Sequence, residues 1–363
     1  MFDVAAQWWA NLVLWTSVHA VVPMLSFLHV DRLMGDPNDI AAAVLIALIQ
    51  LAIISCVFRP LETFAPAEIR ADRKLTNIDR TFTLLMVLVL NPVFAFLVLT
   101  PFANLFGGGA DAGATAEPSG GLLGLVPDMQ RHPYLAFFLY YIVYDLTYYW
   151  MHRAQHAIPW WWALHSMHHS QRQMSCWTND RGSYLDGVLQ SFVLASAGLL
   201  MGVDAEQFAL LELVSELVQN FSHTNTRIGF GRFFERVFVA PIFHRLHHMR
   251  VDPSRPNLHN CNFGQVLSVW DNLFGTALYG EPVRPTGVGD PTVDADNGRG
   301  VIAMQWGALK RFWGALRCVD GWKLQEVAFD EKTFRPIPVS HVDLHAFEPA
   351  VAGHAPSRIE LRT

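Results

Sequence analysis

Residues 144–169 read YDLTYYWMHRAQHAIPWWWALHSMHH, an aromatic and apolar run that ends in five histidines within eighteen positions. The run belongs to a longer apolar stretch, 134–151, close to the roughly 20 residues a helix needs to cross a hydrocarbon core. The histidines begin where such a helix would leave the membrane. Asp145 interrupts the stretch. An ionisable group inside a span is costly and points to function, and the role expected of Asp145 is to orient a ligand histidine from behind.

The spacing of the histidines carries the chemistry. His152 and His156 stand four apart, and His165, His168 and His169 form HxxHH. A second HxxHH follows at His244, His247 and His248. Positions three and four apart share one helix face, whereas the adjacent pair in each HxxHH diverges by about 100° and can supply one ligand to each of two ions. Imidazole suits iron, zinc and copper, and so many imidazoles exceed what one ion can use. A lone histidine is more often structural, but clustered imidazoles bring no packing benefit. The chain has no HExxH, which argues against a zinc hydrolase, and no paired Glu-x-x-His of the carboxylate-bridged helix bundles.

Working outward, hydrophobic residues make up 52% of the 363 positions and charged residues 16%, against about 25% charged in an ordinary soluble domain. Mean hydropathy is +0.22. Four apolar stretches, 8–30, 40–58, 82–106 and 134–151, read as membrane spans, the first of them in place of a cleaved leader. Residues 185–202 and 205–222 read as a membrane-associated helical hairpin broken at Gly202, Val203 and Asp204. Arg59, Arg70, Arg73, Lys74 and Arg80 make the second connection basic. The positive-inside rule then puts that connection, and by counting spans the histidines, on the cytoplasmic side. The net charge of −6 gives no basic footprint for nucleic acid. Cys56, Cys176, Cys261 and Cys318 lie far apart and fit a reducing compartment. The expected fold is all-α: about four transmembrane helices plus the hairpin, with a cytoplasmic helical cap that carries the metal site. The expected parts are an N-terminal membrane region 1–133, a catalytic region 134–278 and a C-terminal tail 279–363.

Over about 134–276 the sequence resembles the fatty acid hydroxylase and sterol desaturase superfamily. Its members share HxxxH, HxxHH, one intermediate histidine and a final HxxHH, here His152/His156, His165/His168/His169, His223 and His244/His247/His248. HAIPWWWALHSMHHS looks like the family's aromatic link, HTNTRIGFGRFFERVFVAPIFHRLHHM like the bacterial form of the later motifs, and NFGQVLSVWDNLFGT like its trailing signature. The resemblance implies a multi-pass enzyme of a bacterial inner membrane. It would hold two iron ions on these nine histidines and use O2 and two electrons to hydroxylate or desaturate a membrane lipid. No dinucleotide, haem or ferredoxin motif is present, which points to a separate donor: a ferredoxin, a cytochrome or a flavin reductase. Some relatives pair the intermediate histidine with another four residues away, where this chain has Gln219 and Arg227; Asn220, Asn225 or water could take that place. His259 lies outside the shared pattern as an additional ligand or neighbour of the site. Asn179 and Arg181 resemble a family element that steadies the site or meets a headgroup, and Asn262, Trp270 and Asp271 are expected to orient the last motif. Trp8, Trp9, Trp160, Trp161 and Trp162 are assigned to an interfacial aromatic belt. Two other readings of the clusters are a zinc-dependent lipid hydrolase and a metal-binding membrane transporter or sensor. The transporter would spread its histidines across membrane depth, whereas these gather at helix ends.

Overall fold

The computed structural model describes residues 2–30, 36–69, 72–94, 121–126, 129–202, 205–252 and 258–339, together with Val98 and Arg255. Helices dominate among them. Four are long and apolar enough to cross a membrane: α1, Gln7–Leu28; α2, Pro37–Phe64; α3, Arg73–Phe94; and α6, Tyr184–Met201. The number matches expectation and the membership does not. Tyr184–Met201, expected as one arm of a hairpin, qualifies, whereas α4, Pro133–Ala157, is not among the four. Tyr140, Tyr144, Asp145 and Tyr148 lower its apolarity, and all four are buried within the bundle rather than turned outward. The end of the expected 82–106 span falls largely outside the described residues, as do Val203 and Asp204 at the hairpin break.

Each of α1, α2 and α3 widens into one π-helical turn, at Ser17–Val21, Ile54–Phe58 and Met86–Leu90. The cause is legible in the chain. Pro23, Pro60 and Pro92 each stand two residues beyond such a turn. A proline has no N–H to donate, and its ring pushes away the carbonyl four residues back, which here lies inside the widened turn.

The histidine-bearing layer sits at one end of the bundle. Helix α5, Pro159–His169, follows α4 after one extended residue, and α7, Ala205–Ser222, follows α6. Short helices α8, Pro241–His247, and α9, Val269–Phe274, come next, and α10, Val301–Leu316, packs along α5. One buried cluster joins Tyr140, Tyr144, Tyr148 and Met151 of α4 to Leu194 and Met201 of α6 and Leu211 of α7. Another joins Phe82 of α3 and Met167 of α5 to Met304 and Ala308 of α10. Strand β1, Val327–Phe329, pairs antiparallel with β2, Pro336–Pro338, with Ala328 opposite Ile337. The described part of the expected C-terminal tail is therefore packed structure: Val288, Val293, Ala315, Val327 and Phe329 share a core with Ala163 of α5. His341, His345 and His354 lie outside the described residues.

A buried ion pair ties the bundle to this layer. Arg181 Nη1 donates to Asp79 Oδ1 of α3 at 2.9 Å, and neither side chain has any exposure. Gln171 and Thr178 donate to the other Asp79 oxygen, and the rest of the guanidinium donates to Met167 O, Ser170 Oγ and Asn297 Oδ1. Removing one partner of such a pair strands a buried charge, at about 3–5 kcal/mol. Asp79→Ala should therefore lower the thermal unfolding midpoint of the detergent-solubilised protein sharply, and an unchanged midpoint would refute the role assigned to the pair.

Candidate metal centre

Every histidine cluster sits on or just beyond the last turn of a helix, and proline sets two of those helices. Ile158 and Ala240 are extended, as residues before proline are biased to be, and Pro159 and Pro241 occupy the first turns of α5 and α8. Their missing N–H is one that a helix start leaves unpaired in any case. His165, His168 and His169 then close α5, His244 and His247 close α8 with His248 capping it, and His223 follows α7 directly.

These elements bring all nine histidines of the four motifs together in two groups. His152, His156, His165, His169 and His247 form one; His168, His223, His244 and His248 form the other. Within each, one ring nitrogen per residue lies within 4.8 Å of all the others. The adjacent pairs divide: His169 and His247 face the five-membered group, His168 and His248 the four-membered one.

Proton accounting tests whether cations fit there. Nδ1 of His152 faces Phe263 O at 2.8 Å, that of His168 faces Arg181 O at 2.9 Å, and those of His223 and His247 face Gln219 O and Cys261 O at 2.7 Å. A carbonyl only accepts, so each Nδ1 holds the proton and each Nε2 a bare lone pair. Yet Nε2 of His152 lies 2.9 Å from Nε2 of His247, and Nε2 of His223 lies 3.1 Å from Nε2 of His168. Lone pairs at such range repel unless a positive charge sits among them. Two nitrogens bound at about 2.0–2.1 Å to one ion and 90° apart would stand ~3.0 Å from each other, which is the spacing seen. In the larger group, Nε2 of His156, His165 and His169 has no hydrogen-bond partner among the described residues. Protonation is a poor substitute for a metal: burial first, and neighbouring imidazoles second, hold His168, His169, His244, His247 and His248 well below the usual histidine range. Burial brings His223 down to about 4.

The carbonyls that hold the rings are themselves held. Asp271 accepts from Phe263 N, Gly264 N and Thr276 Oγ1. A Cβ on Gly264 would stand 2.6 Å from Leu267 O and 2.8 Å from Asp271 Oδ2, so this turn needs glycine. Asn262, in the left-handed region at φ 58°, donates to Phe243 O and Leu278 O and accepts from Leu278 N. Asn262 and Asp271 thus hold the loop whose carbonyls face His152 and His247. Asp145 differs from expectation. Its carboxylate accepts from Val266 N, Leu267 N and Trp270 Nε1, so it steadies the loop that presents Phe263 O and touches no imidazole itself. The carboxylate that does orient a ligand ring is Asp186, which faces His165 Nδ1 at 2.9 Å and accepts from Gln155 and Trp161. Sequence reading missed it, although an acid in the apolar run 184–201 was the same signal that singled out Asp145.

The other expected site residues are also placed. Arg181 reaches the centre through its carbonyl on His168, its guanidinium being spent on Asp79. Asn179 donates to Glu216 at 2.8 Å. Asn220 and Asn225 do not fill a coordination position: Asn220 bonds Gln50 and Cys176 O, and Asn225 bonds both backbone groups of Glu68. His259 stands outside both groups and pairs with Glu326 at 3.3 Å. Trp160, Trp161 and Trp162 are half-buried and pack against the cap: Trp160 against Phe312 and Trp322, Trp161 on Asp186, and Trp162 beside His156. An indole N–H that finds a buried acceptor can leave the interface.

Two cavities reach the groups from opposite sides. A cavity of about 360 Å³ touches His165 and His168 and runs outward to Met86, Leu90 and Phe94 of α3 and Leu194 of α6. A smaller one, about 70 Å³, touches His156, His169 and His247 and opens past His259 and Glu326 beside β1.

The depressed imidazoles fix a pH dependence. Their folded pKa lies below the unfolded value of about 6.5, so unfolding takes up protons and stability is lost as pH falls. The metal-free protein should melt at progressively lower temperature, and bound metal should be released, as pH drops from about 6.5 toward about 4. Metal content and melting temperature that stay flat across this window would contradict the neutral-imidazole assignment.

Residues 137–276 match the family described as fatty acid hydroxylase. Human alkylglycerol monooxygenase is 32% identical over 132 residues, covering 36% of this chain and 28% of that protein. The ornithine lipid hydroxylase of Rhizobium tropici is 26% identical over 145 residues, 40% of this chain and 42% of that one. A delta(7)-sterol 5(6)-desaturase of Gibberella zeae is 27% identical over 138 residues, 38% and 40%. The match therefore spans less than half of each of these relatives. No solved structure matches the chain.

Proposed function

We propose that the chain, whose residues 137–276 match the family described as fatty acid hydroxylase, is an O2-dependent hydroxylase or desaturase of a membrane lipid, with two iron ions held by the nine clustered histidines. The observation that carries the reading is the division of nine imidazoles into groups of five and four, reached by a cavity that runs from apolar, membrane-length helices. The similar proteins point the same way: by name they oxidise an alkylglycerol, an ornithine lipid and a sterol.

The residues divide the labour. When bound, the metal pair supplies the redox chemistry with O2 that no side chain here can supply. His165 and His168, one from each group, line the inner end of the larger cavity, so a substrate there lies against both groups at once. Asp186 and the carbonyls of Phe263, Arg181, Gln219 and Cys261 keep the imidazole lone pairs aimed inward, and such partners commonly change metal affinity or activity by about 10–100-fold when lost. The apolar walls between α3 and α6 admit a lipid tail from the bilayer and exclude water.

Orientation follows from the loop between α2 and α3. Ala67 and Glu68 bond Asn225, Arg227 bonds Ala65 O, and Lys74 bonds Gly298 O, so the basic connection lies on the histidine side of the bundle. The positive-inside rule assigns that side to the cytoplasm, in a bacterial inner membrane, where a separate ferredoxin, cytochrome or flavin reductase delivers electrons.

The purified protein, loaded with ferrous iron and given a reductant, membrane lipid and isotopically labelled O2, tests the reading by mass spectrometry. A lipid that gains one labelled oxygen, or loses two hydrogens, in wild type and not in His168→Ala or His247→Ala is expected. Lipid hydrolysis without O2 uptake, or full turnover in either variant, would sink it.

A further inference from the structure

Helix α10 carries an apolar face that the metal centre does not use. Its inner side, at Met304, Ala308, Arg311 and Ala315, is buried. The opposite side repeats at three and four residues: Ile302, Trp306, Lys310, Trp313 and Arg317. There Ile302 is 86% exposed, Trp306 60% and Trp313 53%. A helix that faces water puts polar residues on its outer side, so two tryptophans and an isoleucine in that stripe require another neighbour. Lys310 Nζ lies 6.0 Å from the centre of the Trp306 ring, and Arg317 Cζ lies 5.1 Å from that of Trp313. Residues 301–319 contain three basic side chains and no acidic one; the third, Arg311, turns inward to Asp296.

Packing sets the direction of this face. The first turn of α6 meets α5 near both of its ends: Asp186 accepts from Trp161 and faces His165, and Tyr184 packs against the cluster that holds Met167. Trp161 to Met167 is about 9 Å of helix, and two helices side by side would spread such contacts over nearly two turns of α6. Helix α5 therefore crosses the end of α6, roughly in the plane of the membrane. Helix α10 runs along α5, with Ala315 in one core with Ala163 and Met304 in another with Met167. It also lies beside the spans rather than above them. Val301 and Met304 pack with Phe82 of α3 and Tyr184 of α6, and Gln305 donates to Gly182 O and accepts from Tyr184 N. Leu84 and Leu85, exposed on α3, begin about 3–5 Å beyond Phe82 along that helix. The outer stripe of α10 is thus level with the edge of the hydrocarbon.

Resting on the reading of the long apolar helices as membrane spans, we infer that α10 is a second membrane contact, lying in the bilayer surface beside α3 and α6. Ile302, Trp306 and Trp313 enter the boundary between headgroups and acyl chains, and Lys310 and Arg317 meet lipid phosphates. Tryptophan suits that depth because its ring is apolar and its N–H polar. A helix with basic residues and an apolar face of Trp and Ile is the kind that lies in such an interface. The docked helix is bonded through Gln305 to Gly182 and Tyr184, which line the larger cavity. It therefore fixes the histidine-bearing cap against the bilayer on the side where that cavity meets α3 and α6.

Depth-dependent quenching in the full-length protein tests this without iron, O2 or turnover. A dansyl-bearing amino acid takes the place of Trp306, of Trp313, or of Leu88, which is exposed on α3. Each protein is placed in nanodiscs of phosphatidylcholine and phosphatidylglycerol, with nitroxide lipids as the bilayer quencher and iodide as the aqueous one, and thermal melts check that it is folded. Probes at 306 and 313 should respond most to a shallow nitroxide, at a depth of about 5–10 Å into the headgroup and acyl boundary. Iodide should reach them far less than it reaches the free amino acid, and a probe at 88 should respond to a deep nitroxide. Ile302→Glu combined with Lys310→Glu should lift the probe at 313 into water, with loss of nitroxide quenching. Iodide quenching at both positions without a nitroxide effect would overturn the inference and leave the face to a soluble protein. Protection from both quenchers would overturn it in favour of a second copy of this chain. A probe at 88 that no nitroxide reaches would remove the span assignment beneath the inference, a failure that the other two outcomes do not share.

Discussion

Nine imidazoles must keep their lone pairs inward in a buried space, and most of the surrounding structure exists to hold them so. Apart from a positive charge at each focus, nothing in such an arrangement attracts; neutral rings at 2.9–3.1 Å between lone pairs repel. Five of the nine rings are fixed from behind, those of His152, His168, His223 and His247 by backbone carbonyls and that of His165 by the Asp186 carboxylate, and the loop that offers two of those carbonyls is fixed in turn. Asp271 and Asp145 accept from the backbone N–H groups of Phe263, Gly264, Val266 and Leu267, and Gly264 lets the chain turn tightly enough to serve both. Even the ion pair of Arg181 and Asp79 belongs to this scheme, because the same residue offers its carbonyl to His168.

The centre is approached unequally from its two sides. The larger cavity touches one histidine of each group and leads to membrane-length helices. The smaller one touches only members of the five-histidine group and leads past His259 and Glu326 into the cap. The widened turn at Met86–Leu90, which Pro92 imposes on α3, lies on the lipid side and shapes its wall.

Helix and histidine spacing were legible in the sequence because they depend on local periodicity: the pattern of three and four residues places the rings on helix ends whatever the tertiary context. The all-α membrane bundle followed from apolar run length in the same way. What escaped was set by distant contacts. Asp145 and Asp186 are both lone acids in apolar stretches, and only the three-dimensional meeting of α6 with α5 decides that Asp186, not Asp145, faces a ligand ring. Trp160, Trp161 and Trp162 have the composition of an interfacial belt, but the packing of α10 and the Asp186 acceptor draw them inside. Asn220 and Asn225 stand next to His223 in sequence, yet the α2–α3 connection captures Asn225 and α2 captures Asn220. The region 279–339 looked like a tail because its strands are short and the packing of α10 along α5 is a contact between segments far apart in sequence.

The central claim is the all-imidazole nature of both groups. X-ray absorption at the iron edge of the purified, iron-loaded protein tests it most directly. The account predicts a nearest shell of light atoms at about 2.0–2.1 Å, dominated by nitrogen and accompanied by the multiple-scattering signature of four to five imidazoles per metal. A shell dominated by carboxylate oxygen or sulfur, or with one or two imidazoles per metal, would contradict it.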